Sequence, residues 1–541
     1  MHERRHSLSD VLIVFAGLTL AMVVLGILSS GFSGQRLSVL ADPVGWVLRL
    51  QPTVAFEILS NAAEVVAGVL GIAITVVAIV LELAANRYSH RFIWIFIRDP
   101  VNVAVLSLFI LTTLQCVWVG ASMSGPTDAV AGGAEGINWV GVSITLTMVT
   151  MSLLSLLPYF TYVFAFLSPL NMIEKIRHGA LTRIDKVKQS NLERYQGEVE
   201  EAVDELQEIA RSATDQGDRS IAMAAVDALM SLLEDYHARR ESLPPEWFKI
   251  GPSVAADPDF IALAPSATRN IEEEKLWLEV KIMLQYLALI GHCLPRAKDV
   301  ANLIAINTHR IATGVGLEHP DLRWLCMRCM NSYLRTTINA RDARTSYYII
   351  NQYRLIAEKL LGENLHDEVI QIAGFLKFYG GLGFDASIPF LLETAAHDLV
   401  ELIEADLALD AQLTDRLLSE LLDLDREIKE ESHVESLLGV RRSQMQLASL
   451  FLVRGEMERA QRIAVDLATE PASRLRNVWQ QLTRAQSPQY WEFTARGINF
   501  SYLPEERRAV LPRLIEMVAE ARRVRSTAGT AGPEGGQPPG G

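Results

Sequence analysis

The sequence is short of what catalysts, metal centres and nucleic-acid binders usually show. Its four cysteines, Cys116, Cys293, Cys326 and Cys329, are too few for a disulfide scaffold in 541 residues. That sparing use fits a reducing compartment. An excess of Lys and Arg is also missing: the formal charge is −14, whereas a nucleic-acid binder carries a basic footprint. No G-x-S-x-G, H-E-x-x-H, Walker or kinase pattern occurs. Cys326 and Cys329 form one C-x-x-C in "RWLCMRCMNSYL", with His292 and Cys293 upstream. No second pair follows and the run is apolar, so these read as buried thiols on a helix, not zinc ligands. His397 and Asp398 are neighbours in a helical run with no companion cluster. The three glycines of "YGGLGFD", 379–385, follow no strand and precede no Walker lysine, so they read as a turn between helices. These absences point away from an enzyme, and no metal or cofactor is expected.

What the chain does have is apolar length, concentrated at one end. Four segments, about 11–33, 58–83, 101–121 and 138–167, are long and apolar enough to span a hydrocarbon core of ~30 Å. Arg4 and Arg5 precede the first, yet no A-x-A cleavage site follows it, so it reads as a retained span. Residues 1–168 carry a net charge of −2 and the rest −12.

Orientation follows from the basic residues in the short flanks. With the N-terminus inside, the inner flanks hold Arg4, Arg5, Arg87, Arg91, Arg98, Lys175, Arg177, Arg183, Lys186 and Lys188, and the outer loops hold Arg36 and Arg49. Ten against two puts both termini in the cytoplasm. Arg87, Arg91 and Arg98 share a helical face in "NRYSHRFIWIFIRDP", with Phe92, Ile93, Phe96 and Ile97 on another. They read as an anchor at the inner interface.

The second span carries a polar stripe. Glu57, Asn61, Glu64, Gly68, Gly71, Thr75, Ala78 and Glu82 follow steps of four and three, which keeps them on one helix face. The uncharged run from Val65 to Leu81 is 17 residues, about 25 Å. Glu64 and Glu82 therefore fall near the two boundaries of the bilayer. The stripe has two readings. It is a close-packing face, with Thr75 bonding across the contact, or it lines a water path with Glu57 and Glu64 as a cation-attracting mouth in a homo-oligomer. Hydroxyls recur in the later spans, at Thr112 and Thr113 and at Ser143, Thr147 and Thr150, and Pro158 interrupts the fourth.

The segment "LELAANRYSHRFIWIFIRDP" resembles the signature of a bacterial family of predicted membrane proteins of unknown function. Leu81, Leu83, Ala84, Tyr88, Ser89, Arg91, Phe96, Arg98 and Asp99 carry the match, and His90 stands where the family usually has proline. A second echo is "IARSATDQGDRSIAMAAVDALMSLLED", with "QGDRS" in place of an Asn-Asp-Pro turn. The resemblance spans about 55–240. It implies an inner-membrane protein with a cytoplasmic extension, and no activity.

Beyond residue 170 the sequence is helix after helix, as in "NLERYQGEVEEAVDELQEIARSA". The expected fold is all-α. A transmembrane domain, 1–170, precedes a helical segment, 171–242, a Pro-rich connector, 243–267, an irregular solenoid-like helical domain, 268–525, and a disordered tail, 526–541. In "LASLFLVRGEMERAQRIAVDLA", Leu447, Ala448, Phe451, Gly455 and Ala460 resemble one tetratricopeptide unit, which presents surfaces to protein partners. Two functions fit. One is a membrane-anchored interaction or sensory module that engages the bilayer and a cytoplasmic protein. The other is an oligomeric cation-conducting pore lined by the second span.

Overall fold

The computed structural model describes residues 52–87, 96–97, 99–123, 139–166, 168–425, 437–492, 494 and 496–530. Among these the chain is helical, with one isolated β-bridge between Gln489 and Ile498. It divides into two compact units, 1–178 and 179–541.

In the first unit α1 (Pro52–Arg87), α2 (Pro100–Met123) and α3 (Trp139–Phe166) pack pairwise on one another, and α4 (Pro169–Asp185) begins in this unit and ends in the second. Three stretches are long and apolar enough to cross a membrane: Thr53–Glu82, Pro100–Ser122 and Val140–Phe166. They coincide with the second, third and fourth expected spans. The first, 11–33, lies outside the described residues. Proline opens α2 and α4, where its missing N–H costs nothing, and α3 runs on through Pro158.

The helices of the second unit stand in two rows. One row is α5 (Leu192–Asp215), α8 (Trp277–Cys293), α10 (Pro320–Asn339), α12 (His366–Asp385), α14 (Thr414–Leu422) and α16 (Met457–Leu467). The other is α6 (Arg219–His237), α9 (Lys298–Thr313), α11 (Ala343–Gly362), α13 (Pro389–Leu409) and α15 (Leu438–Arg454). Each member packs on the next of its row, and chain neighbours other than α14 and α15 pair across the rows. The remaining helices longer than five residues are α7 (Pro265–Glu274), α17 (Ala472–Arg484) and α18 (Leu511–Thr530). α18 includes the first residues of the expected tail, and 531–541 lie outside the described residues.

One backbone turn recurs between these helices. Gly217, Lys275, Arg341, Asn364, Ser387 and Gly455 all have positive φ, between 54° and 78°. In each case the next amide reaches back five residues to a carbonyl, as in Asp218 to Ala213 at 2.8 Å and Asp342 to Thr337 at 2.9 Å. This closure satisfies the carbonyls left open at a helix end. At Asp218 and Asp342 the same residue then caps the next helix, accepting from Ile221 and Thr345.

One expectation changes here. The "YGGLGFD" glycines are not a turn but the last turns of α12. A Cβ on Gly380 would sit 2.8 Å from Ala395, and one on Gly383 2.8 Å from Leu391, so these glycines let α12 and α13 pack closely. The segment 243–267 is packed inside the second unit, burying Trp247, Val254 and Phe260. The Trp247 carbonyl accepts from Trp277 and from Gln196, both at 2.8 Å.

Candidate functional site

Polar side chains gather where α2 begins. Asp99 precedes Pro100 and accepts from the Val101 amide at 3.0 Å, so it caps the span. It also accepts from the Tyr162 hydroxyl at 2.7 Å and from Lys175 Nζ at 2.8 Å. Burial alone would raise its carboxyl. Lys175, Tyr162 and the amide outweigh that and hold it below the usual carboxylate range. Beside it Tyr159 donates to Asn102, which donates to the Phe96 carbonyl, and Phe96 meets the Phe166 ring edge-on at 5.4 Å. Deeper in, Thr112 and Ser152 share a buried hydrogen bond of 2.9 Å. Sequence reading singled out Thr112 but missed Ser152 and Thr145, the other fully buried hydroxyls of these spans. Their signal is only the helix face they share with α2 and α3 contacts.

The eight stripe residues, Glu57, Asn61, Glu64, Gly68, Gly71, Thr75, Ala78 and Glu82, are all exposed. The buried face of α1 is Ala55, Leu59, Val66, Ala73, Val77 and Leu81. It is offset from the stripe by two residues, about 200° round a helix. α2 and α3 therefore lie on the other side of α1 from the stripe. Thr75 bonds within its own helix, to the Gly71 carbonyl at 2.8 Å, and not across a contact. Among the described residues, nothing lies within 4 Å of a Cβ built on Gly68 or Gly71. Arg87 ends α1, and Arg91 and Arg98 lie outside the described residues.

In the second unit a cavity of about 810 Å³ opens on the row of α9, α11, α13 and α15. Asn302, Tyr347, Phe390 and Arg442 line it from the helices, and the irregular segment 486–503 closes it with Trp491 and Phe500. Aromatic rings continue along the wall: Tyr347 meets Phe390 at 5.3 Å, and Phe390 stacks on Phe500 at 6.2 Å. At the rim Trp491 stacks on Tyr490 at 4.1 Å and is 79% exposed.

Behind the wall lies a buried charge cluster. Asp398, fully buried, pairs with Arg496, 2% exposed, and Arg354 stands 3.6 Å away. Arg496 lies over the Tyr347 ring at 4.5 Å. His397 packs on Phe500 at 4.2 Å, and burial pushes its imidazole down to about 4, so it stays neutral. The neighbouring His397 and Asp398 of the sequence thus do have companions, contributed by α11 and by residue 496.

Another cluster joins α5, the 243–267 segment and α8. Lys281, 1% exposed, is held by Asp204, Asp257 and Asp259 at 2.7, 2.8 and 2.7 Å. Glu200 sits beside them, its carboxyl raised to about 8 by burial and by its hydrogen bond and repulsion with Asp257. Glu200, Asp204 and Asp257 have oxygens within 4.8 Å of one another, but the Lys281 ammonium already serves as their cation. Cys326 and Cys329 lie buried in α10, and burial pushes Cys329 up to about 12. Cys293 instead approaches Thr214 at 3.5 Å, and His292 pairs with Asp215 at 2.9 Å.

Residues 8–244 match the model of a family described as predicted membrane protein DUF2254. No curated protein and no solved structure matches the chain. The DUF2254 match begins before and ends close to the stretch over which the sequence resembled such a family. It takes in the three described spans, the Asp99 cluster and the α5–α6 hairpin. Of the residues on which the sequence resemblance rested, Leu81 and Phe96 are buried, and Asp99 caps a span. The cavity, built from residues 302 to 501, lies wholly beyond the DUF2254 match.

Proposed function

We propose that this protein is a membrane-anchored interaction or sensory module whose helical unit binds a partner at the aromatic cavity. The observation that carries the reading is the cavity itself, an open, ring-lined recess on a row of stacked helices. Its volume is within the ~300–1,000 Å³ of ligand sites. Two continuous rows of helices are the arrangement by which irregular solenoids present binding faces. In this reading the protein is multi-pass in the bacterial inner membrane, with 11–33 as a fourth span and both termini cytoplasmic. The distribution of Lys and Arg supports that topology. No catalytic residue is assigned.

A photo-crosslinking amino acid at Trp491 tests the reading in cells. A discrete protein adduct at 491, absent with the same label at Arg416 on the opposite row, supports it. Equal labelling at both positions, or none at either, contradicts it.

A second reading, an oligomeric cation pore, is favoured by one specific observation: the stripe of α1 is exposed and carries Glu57 and Glu64. Copies meeting around α1 would ring a path with carboxylates. Purified protein in planar bilayers decides the matter. A conductance whose cation selectivity falls in E57Q/E64Q supports the pore, and electrical silence removes it.

A further inference from the structure

The exposed surface of α1 is of two kinds. Ile72, Ile74, Val76 and Ile79 are exposed, and their branched apolar side chains suit lipid tails. Between them runs the stripe, where Gly68 and Gly71 are the only glycines of the uncharged run 65–81. Glycine is a poor helix former and offers lipid nothing, but it lets a second helix come close. α2 and α3 do not supply that helix, because they hold the opposite face.

A second copy of the chain fits the stripe badly. Two copies meeting there about an axis normal to the bilayer run parallel. Glu57, Glu64 and Glu82 then face their own counterparts, like charge on like, unless cations stand between them. The chain has one further apolar run of spanning length, 11–33, which lies outside the described residues. It contains no Asp, Glu, Lys or Arg, so it meets the carboxylates without repulsion. It also has a stripe of its own: Ala16, Thr19, Val23, Gly26 and Ser30 follow steps of three and four, which is one face of a helix. The link to α1, residues 34–51, is 18 residues long and reaches up to about 60 Å, and consecutive elements usually lie side by side.

We propose that residues 11–33 pack antiparallel on the stripe of α1. One register sets Thr19 against Thr75, Val23 against Gly71, Gly26 against Gly68 and Ser30 against Glu64. That register also brings the middle of 11–33 level with the middle of 65–81, whereas a slip of seven residues would offset them by about 10 Å. Thr75 donates to the Gly71 carbonyl, which leaves its oxygen to accept from Thr19. The pair repeats the hydroxyl contact that Thr112 and Ser152 make at 2.9 Å between α2 and α3. Val23 fills the notch at Gly71, and Ser30 donates to the Glu64 carboxylate. The stripe is then closed to water. This inference does not rest on the module reading, and it counts against the pore.

Disulfide trapping in native membranes tests it, on the full chain with a protease site placed in 34–51. After oxidation and cleavage, Thr19→Cys/Thr75→Cys and Ser30→Cys/Glu64→Cys are each expected to stay linked at the mass of a single chain and to part on reduction. Thr19→Cys/Val76→Cys places its second thiol on the lipid flank, too far for a disulfide, and is expected to part without reduction. The single variant Thr19→Cys is also expected to part, which controls for the native Cys116 in α2. Linkage at twice the chain mass overturns the proposal in favour of a second copy. Equal linkage at 75 and 76, or linkage of Thr19→Cys to Cys116, overturns it as well. So does parting of a stripe pair that inserts and accumulates normally; should one pair misfold, the other decides, since both belong to one register.

Discussion

The two units differ most in what they leave exposed. Both bury leucines and hydroxyls, Leu59 and Thr112 in the first and Leu229 and Thr337 in the second, but the first also exposes Ile, Leu and Val along its long apolar helices. In the first, Thr112, Thr145 and Ser152 are fully buried, while Ile72, Leu111 and Leu157 are among its exposed residues. In the second, Leu229, Leu334 and Leu402 are fully buried. The lesson is about solvent. Lipid tails are as apolar as leucine, so spans gain little by hiding Ile and Leu and instead pair hydroxyls and close-packing small residues. In water the helical unit gains about 25 cal/mol for each Å² of apolar surface removed. Buried charges are either paired, as at Asp398 with Arg496 or Lys281 among its carboxylates, or held by hydrogen bonds, as Asp406 is by the Leu413 amide and the Thr414 hydroxyl.

That contrast can be attacked at several points. The largest effect should come from Asp398→Ala, which leaves Arg496 buried without its partner. A loss of about 3–5 kcal/mol is expected, read by denaturant unfolding of the full chain in detergent. Next, Leu402→Ala should cost about 2–5 kcal/mol, while Ile72→Ala on the exposed face of α1 should stay within about 0.5 kcal/mol. Equal effects would erase the distinction between the units. The acidic cluster gives a pH test. Glu200 has a folded value raised above its ordinary one, so its contribution is present below the ordinary carboxylate range and is lost as pH rises through about 8. The melting temperature of the wild type should fall between pH 6 and pH 9, with a shallower slope in Glu200→Gln. Smallest of all, Thr112→Val removes one intramembrane hydrogen bond worth about 0.6–2 kcal/mol, visible as a small drop in thermal stability.

How much of this could be read from the chain alone varied with the range of the contacts. The all-helical fold and the spans from α1 to α3 were legible, because hydropathy and the 3.6-residue period are local properties. The two rows were much less so. The α15–α16 hairpin stood out because Gly455 marks its turn. The joints at Lys275 and Arg341 use the same left-handed backbone with side chains that carry no turn signal, and Asn364, which does favour that backbone, stands alone without a flanking glycine or proline. Here tertiary packing absorbs a conformational cost that glycine would avoid. The cavity was invisible for a different reason. Asn302, Tyr347, Phe390, Arg442 and Trp491 come from four helices and an irregular segment, and no short motif holds them together. The stripe on α1 was visible as a face, but periodicity does not say what a face meets. In the structure that face is turned away from α2 and α3.

The account holds that the spans anchor and the cavity acts. The most direct test is adduct yield from a crosslinker at Trp491 in cells, compared between wild type and E57Q/E64Q. The prediction is an adduct that persists when the two glutamates of α1 are neutralised. An adduct lost in E57Q/E64Q would contradict it.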